Sequence, residues 1–96
     1  MLVWFIYDIV KDKARKKVSD KAIELGLKRV QKSVFLGKLE DSVADELLLY
    51  SEQQIEPDDD SIYLFPMCQK DFKKVEILGK AFDKARANDE LKTMFL

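Results

Sequence analysis

The chain opens with an unbroken apolar run that ends on a charged residue. Residues 2–6 are all large and apolar, and Tyr7 and Asp8 follow them. A continuous run of this kind predicts a central strand over residues 2–8 that is buried on both faces. A carboxylate at the end of such a strand needs a charged partner, a hydrogen bond or a bound cation. Asp8 is therefore a candidate metal ligand. The alternative is that Asp8 only begins the turn into the next helix.

Helical periodicity follows this strand. It predicts a first helix over residues 13–25, with Asp12 as the N-cap and Gly26 as the C-terminal stop. The apolar stripe of this helix consists of Ala14, Val18, Ala22 and Leu25. A second helix is predicted to begin at Ser42, with Asp45 as its capping partner. The residues predicted to line its inner face are Val43, Leu47 and Leu48.

Alternation of polar and apolar residues predicts the remaining strands. Residues 27–39 are too many for one typical strand, so we expect two strands that meet near Ser33. Residues 60–67 form the next predicted strand, with Pro66 near its end. Residues 72–78 are predicted to form a fifth strand, and residues 80–96 to be helical or loosely ordered.

The order of these elements predicts a fold and an oligomer. A β-α-β-β-α-β series with a fifth strand predicts a ferredoxin-like α+β sandwich over residues 1–78, followed by a tail over residues 79–96. Both helices would cover one face of the sheet and leave Trp4 or its neighbours exposed on the other. A two-fold homodimer would bury that face, and the fifth strand could pair with the partner's sheet edge.

Charge is balanced overall and uneven along the chain. The net charge is −1, yet residues 1–40 carry ten Lys and Arg against five acids, whereas residues 41–60 carry eight acids and no base. The basic first segment suits contact with phosphate groups, although charge runs also form solvated surfaces. The acidic residues at 58–60 beside Pro57 predict an exposed loop. A calcium site is disfavoured there, because the spacing of an EF-hand loop is absent.

Composition narrows the chemistry and the location. At 47% hydrophobic and 36% charged residues, the chain is expected to form one globular domain. The single Cys68 cannot form an internal disulfide and is expected to be a packing residue rather than a nucleophile. The lack of histidine argues against a zinc site. With no signal-peptide pattern and no run long enough to span a bilayer, we expect a cytoplasmic protein with no membrane contact.

Two segments of the sequence carry a family resemblance. Tyr7-Asp8-Ile9 ends the first strand, Arg15 lies in the first turn of the next helix, and residues 26–35 read GLKRVQKSVF. Together they closely resemble the CRISPR-associated Cas2 family over roughly residues 1–78. The closest alternative is a toxin-type ribonuclease of the virulence-associated D family, which resembles Cas2 in fold. Acylphosphatases, metal-transfer domains and RNA-recognition motifs fit less well, since their characteristic residues are absent.

The resemblance implies an assembly and an activity. It implies a homodimer in which the Asp8 side chains of the two subunits face each other and share Mg²⁺ or Mn²⁺. It implies metal-dependent endonuclease activity, on RNA or on double-stranded DNA, in some members. It also implies action with the Cas1 integrase: the Cas2 dimer bridges two Cas1 dimers during spacer acquisition. The catalytic set is Asp8 as metal ligand with Tyr7 and Ser33 beside it, and the nucleic-acid set is Arg15, Lys16, Lys17, Arg29 and Phe35.

Several of these residues are also suited to a purely structural role in the fold. Tyr7 and Phe35 lie in apolar strands and are core or interface residues first, Ser33 is also suited to shaping a turn, and Arg29 to pairing with a surface acid. Lys17 stands where some relatives carry arginine, so the bidentate fork is lost there. Arg15 is the stronger phosphate ligand, because it lies on the first turn of a helix just after Asp8.

Two roles remain open within the family. In the first, a metal-activated water attacks a phosphodiester while cations offset the developing charge. In the second, the basic surface holds duplex DNA and the dimer sets the distance between two integrase active sites. One acid per subunit and no histidine form a small catalytic set, which favours the architectural role.

Overall fold

The computed structural model describes residues 1–79. The elements are β1 (Leu2–Asp8), α1 (Asp12–Glu24), β2 (Lys28–Gln31), β3 (Val34–Lys38), α2 (Asp41–Gln54), β4 (Ser61–Met67) and α3 (Gln69–Phe72). The four strands form one antiparallel sheet in the order β2-β3-β1-β4. The α+β class and the β-α-β-β-α-β order are therefore confirmed. The predicted tail lies outside the described residues except for its first position.

The main core lies between the sheet and the two long helices. Side chains of β1 alternate between the faces of the sheet, so Val3, Phe5 and Tyr7 point toward the helices, where each is at most 4% exposed. The helix and strand residues buried with them include Val18, Ala22, Phe35, Ala44 and Leu47. Both helices thus cover one face of the sheet, as the sequence predicts.

Glycine residues position the hairpin formed by β2 and β3. Gly26 has a φ of 103° and ends α1, because its left-handed backbone conformation is one that other residues adopt at a cost. Gly37 in β3 lies against Leu27, and a Cβ atom at Gly37 would come within 2.8 Å of the Leu27 Cδ2. A larger residue at position 37 would therefore require the Leu27 side chain to shift.

The helix starts differ from the sequence predictions. Lys11 occupies the N-cap position of α1 without a side-chain cap, and Asp12 is the first helical residue, where its carboxylate pairs with Arg15 instead. Helix α2 begins one residue early, at Asp41. Its predicted inward residue Leu48 is 37% exposed. The buried stripe of α2 is Ala44, Leu47 and Ser51.

The face of the sheet opposite α1 and α2 is here called the open face. From β1 it carries Leu2, Trp4, Ile6 and Asp8. Part of it is covered by Phe72, which forms a buried cluster with Leu2 and Leu36. Trp4 lies beside this cluster, with its ring centroid 6.0 Å from that of Phe72.

The prediction of a fifth strand over residues 72–78 is wrong within the part of the chain that the structure describes. Positions 69–72 form the short helix α3, and the chain from 73 to 79 has no strand. The Cys68 sulfur accepts a hydrogen bond from the Asp71 N–H at 3.4 Å, which starts a helical turn. Phe72, the first apolar residue of the predicted fifth strand, is instead buried on the open face.

The rest of the open face exposes aromatic side chains. Tyr63 and Phe65 on the edge strand β4 are each about half exposed, and their rings stack in parallel with centroids 5.9 Å apart. Pro66 is tolerated within β4 because an edge strand has one side free of ladder hydrogen bonds. None of the helices described is long and apolar enough to cross a membrane.

Candidate functional site

Asp8 lies on the open face at the end of β1, opposite Ser61 of β4. Because neighbouring strand residues face opposite sides, Tyr7 enters the core and Asp8 faces solvent. No described residue forms an ion pair or a side-chain hydrogen bond with the Asp8 carboxylate. The carboxylate is thus open to an external partner.

The Asp8 carboxylate is chemically suited to bind Mg²⁺. Within residues 1–79, no group of three or more Asp, Glu, Cys or His side chains lies close enough together to hold a metal ion. Mg²⁺ usually binds proteins through one or two carboxylates and keeps several water ligands. Asp8 supplies one such carboxylate at the end of β1.

A basic cleft lies on the other face of the same sheet end. It has a volume of about 400 Å³ and is bounded by α1 and the β2–β3 hairpin, and we call it the hairpin cleft. Its charged lining residues are Asp12, Arg15, Lys16, Asp20, Arg29 and Lys32. Tyr7 and Ser33 also line it. The structure therefore brings together five of the predicted site residues, while Asp8, Lys17 and Phe35 are not among the cleft's lining residues.

The two α1 cations of the cleft form ion pairs within the chain. Arg15 donates from Nη1 to the Ile9 carbonyl oxygen at 3.2 Å and pairs with Asp12. The Lys16 ammonium lies 2.8 Å from an Asp20 carboxylate oxygen. Arg15 therefore helps to hold the end of β1 in place, in addition to facing the cleft.

Aromatic residues support the cleft from below. The Arg29 guanidinium lies over the Phe35 ring, 5.1 Å from its centroid, in a cation–π contact. Phe35 has no exposed surface and Tyr7 very little, so both rings are core residues in the described chain. The Tyr7 N–H donates to the Ser33 carbonyl oxygen at 3.1 Å, which ties the hairpin turn to β1. Because the Phe35 ring is buried beneath the Arg29 guanidinium, we expect a ligand in the cleft to contact Arg29 rather than Phe35.

Asp60, predicted from the sequence to lie in an exposed loop, is buried and fixes the start of α1. Asp60 accepts hydrogen bonds from the backbone N–H groups of Glu56 and Val10, each at 2.9 Å, and its side chain is largely buried. Those two hydrogen bonds, with a smaller contribution from nearby Lys11, hold the pKa of Asp60 below its usual value. Only the buried position of Asp60, which the sequence does not show, distinguishes it from exposed Asp58 and Asp59.

We expect Asp60→Asn to lower the free energy of unfolding at pH 7. The amide keeps one acceptor oxygen and loses the charge that both N–H groups favour. Because the pKa of Asp60 is lower in the folded chain, its stabilisation is present above about pH 4 and is lost as the pH falls further. The stability gap between wild type and variant, measured by urea denaturation, should therefore narrow toward pH 2. An unchanged gap would contradict this role, and Asp59→Asn is the matched control.

Comparison with known proteins agrees with the motifs around β1 and the hairpin. The family model for CRISPR associated protein Cas2 matches residues 1–75. A relative from Korarchaeum cryptofilum, named CRISPR-associated endoribonuclease Cas2, is 33% identical over 78 residues, which cover 81% of this chain and 84% of the relative. A relative of the same name from Desulforudis audaxviator is 34% identical over 77 residues, covering 80% of this chain and 69% of the relative.

A solved structure shows the same likeness in three dimensions. The crystal structure of Streptococcus pyogenes Cas2 matches this fold with a TM-score of 0.71 and 26% sequence identity. The match covers 82% of this chain and 100% of that chain. The resemblance seen in the residues is therefore confirmed, and the chain belongs to the Cas2 family of CRISPR associated proteins.

Proposed function

We propose that this protein is a CRISPR adaptation protein that binds duplex DNA and bridges two Cas1 integrase dimers during spacer acquisition. The observation that carries the proposal is the grouping of Arg15, Lys16, Arg29 and Lys32 at the end of the sheet where β1 ends. Phosphate contacts of this kind position a duplex without reading its sequence. Lys17 is exposed on α1 outside the hairpin cleft, and its contact with the nucleic-acid backbone is part of the same proposal.

A two-fold homodimer of ferredoxin-like subunits is part of this proposal. The stacked pair of Tyr63 and Phe65 leaves an apolar patch on the open face, and Phe72 does not cover it. A second copy of the same face would bury this patch by self-complementary contact. Asp8 lies on that face, so the same contact would bring the two Asp8 carboxylates toward each other.

Metal-dependent nuclease activity is the second proposed function. Its support is the exposed Asp8 carboxylate without a described partner, together with the endoribonuclease names of the relatives. A bound Mg²⁺ or Mn²⁺ would supply Lewis-acid chemistry and an activated water at a phosphodiester. Asp8 of each subunit would hold the ion, and Arg15 and Arg29 would hold the nucleic-acid backbone. The choice of RNA or DNA as substrate belongs to the same proposal.

Salt dependence tests the proposed binding surface. Replacing both Arg15 and Lys16 with alanine should weaken binding to all duplex sequences about equally. Since each neutralised phosphate contributes a slope of about 0.9 in log affinity against log salt, the slope should fall by roughly one to two. Fluorescence anisotropy at several salt concentrations, with two unrelated duplex sequences, measures both effects.

The control for this experiment is a change to the tail cations. Lys80, Lys84 and Arg86 offer a rival binding surface in the sequence and lie outside the described residues. Replacing Lys84 and Arg86 with alanine should leave the slope close to the wild-type value. If the tail variant loses the slope and the α1 variant keeps it, the proposed surface is wrong.

A further inference from the structure

The cations of the hairpin cleft fall into two classes. Arg15 and Lys16 on α1 each have an acidic partner, Asp12 and Asp20. Arg29 on β2 and Lys32 in the hairpin turn have no acidic partner among the described residues. The cleft therefore holds two compensated and two uncompensated positive charges, and the uncompensated pair lies on the hairpin.

The position of the hairpin pair is set by the fold. Arg29 is held over the Phe35 ring, so its guanidinium is preorganised at the cleft wall. The turn that carries Lys32 is tied to β1 by the hydrogen bond from the Tyr7 N–H to the Ser33 carbonyl oxygen. Asp8 lies on the opposite face of the same sheet, so this cleft is separate from the proposed metal position.

We propose that the hairpin cleft binds a phosphomonoester of a nucleotide, with Arg29 and Lys32 as its two charged ligands. This inference rests on the proposed nucleic-acid function and assigns a ligand class to the hairpin cleft. A phosphomonoester carries close to two negative charges at neutral pH, whereas an internal phosphodiester carries one. Two uncompensated cations match the monoester in charge. A volume of about 400 Å³ lies at the lower end of the range for small-ligand sites, which suits one nucleotide unit.

A terminal phosphate on a nucleic-acid strand and a free nucleotide present the same group. Separate titrations of the protein distinguish them. One uses adenosine monophosphate, and three use the same short single-stranded oligonucleotide with a 5′-phosphate, with a 3′-phosphate or with hydroxyl groups at both ends. EDTA is present throughout, so that no metal at Asp8 contributes. Isothermal calorimetry gives the affinities, and NMR amide shifts of Lys32 and Ser33 report the location.

For the wild type, we expect one of the end-phosphorylated oligonucleotides to bind about tenfold more tightly than the hydroxyl form, the difference expected of one charge-assisted contact. Lys32→Ala should remove that preference, and the control Lys74→Ala, which changes an exposed lysine after α3, should retain it. Binding of adenosine monophosphate with the same Lys32 dependence would assign the site to free nucleotides as well.

Equal affinity of the wild type for phosphorylated and hydroxyl oligonucleotides would overturn this inference, as would a preference that survives in Lys32→Ala. Duplex binding is measured in parallel with blunt, 5′-hydroxyl DNA. If duplex binding persists without any end preference, only this inference fails. If no nucleic acid binds at all, the proposed function fails with it.

Discussion

Replacing Asp8 with asparagine should abolish metal-dependent phosphodiester cleavage while leaving the subunit folded. The Asp8 side chain is exposed and has no described side-chain partner, so the substitution removes no packing and no hydrogen bond within the chain. The loss of activity should be at least about a hundredfold, since even outer partners of a metal ligand contribute about 10- to 100-fold. Cleavage of labelled RNA and duplex DNA with Mg²⁺ and with Mn²⁺ measures it.

The matched control is Asp58→Asn, which changes an exposed acid in the loop before β4. It should keep wild-type cleavage, and EDTA should stop cleavage by both wild type and control. Activity that persists in purified Asp8→Asn protein would remove Asp8 from the catalytic site. An integration assay with Cas1 then separates the two roles, because the architectural proposal expects Asp8→Asn to support integration.

Sedimentation of the same variant tests the proposed dimer. Two carboxylates brought together without a metal repel each other, so Asp8→Asn should keep the dimer or strengthen it in EDTA. A monomeric mass for the wild type at micromolar concentration would contradict the dimer and with it the shared metal site.

Replacing Phe72 with alanine should destabilise the chain by about 3–5 kcal/mol, the usual cost of removing a buried aromatic side chain. Phe72 is 1% exposed and packs against Leu2 and Leu36 on the open face. Its loss would also uncover Trp4, the only tryptophan in the sequence. Urea denaturation gives the free energy of unfolding, and a red shift of tryptophan emission reports the exposure of Trp4.

Leu78→Ala is the control for this measurement, because Leu78 is 90% exposed and its truncation should change the free energy of unfolding by less than about 0.5 kcal/mol. A Phe72→Ala variant as stable as the wild type, with unchanged emission, would show that α3 does not cover the open face in solution.

The regular elements could be predicted because their patterns are local. The bounds of β1 agree with the strand predicted over residues 2–8, and the break near Ser33 separates β2 from β3 as expected. Gly26 ends α1 for the reason that the sequence suggests, a left-handed backbone conformation. These features depend on neighbouring residues, so no knowledge of distant contacts was needed.

The errors arise where distant residues decide the outcome. Residues 72–78 alternate like a strand, but Phe72 is drawn onto Leu2 and Leu36 across the open face. Asp60 resembles its two acidic neighbours in sequence, and its burial and its hydrogen bond from the Val10 N–H, fifty positions away, set it apart. Strand alternation places Asp8 on the open face and Tyr7 beside the cleft, so Asp8 is separated from the cleft cations although it is close to Arg15 and Lys16 in sequence.

The irregularity in the β2–β3 ladder makes the length of this hairpin a structural constraint. Pairing shifts between Arg29 and Gln31, so Val30 is an extra residue that packs on the open face while Arg29 lies over Phe35 on the helix side. Removing one residue here would turn the side chains that follow to the wrong face. Substitutions that preserve side-chain size and polarity are therefore expected to disturb this hairpin less than an insertion or deletion of one residue.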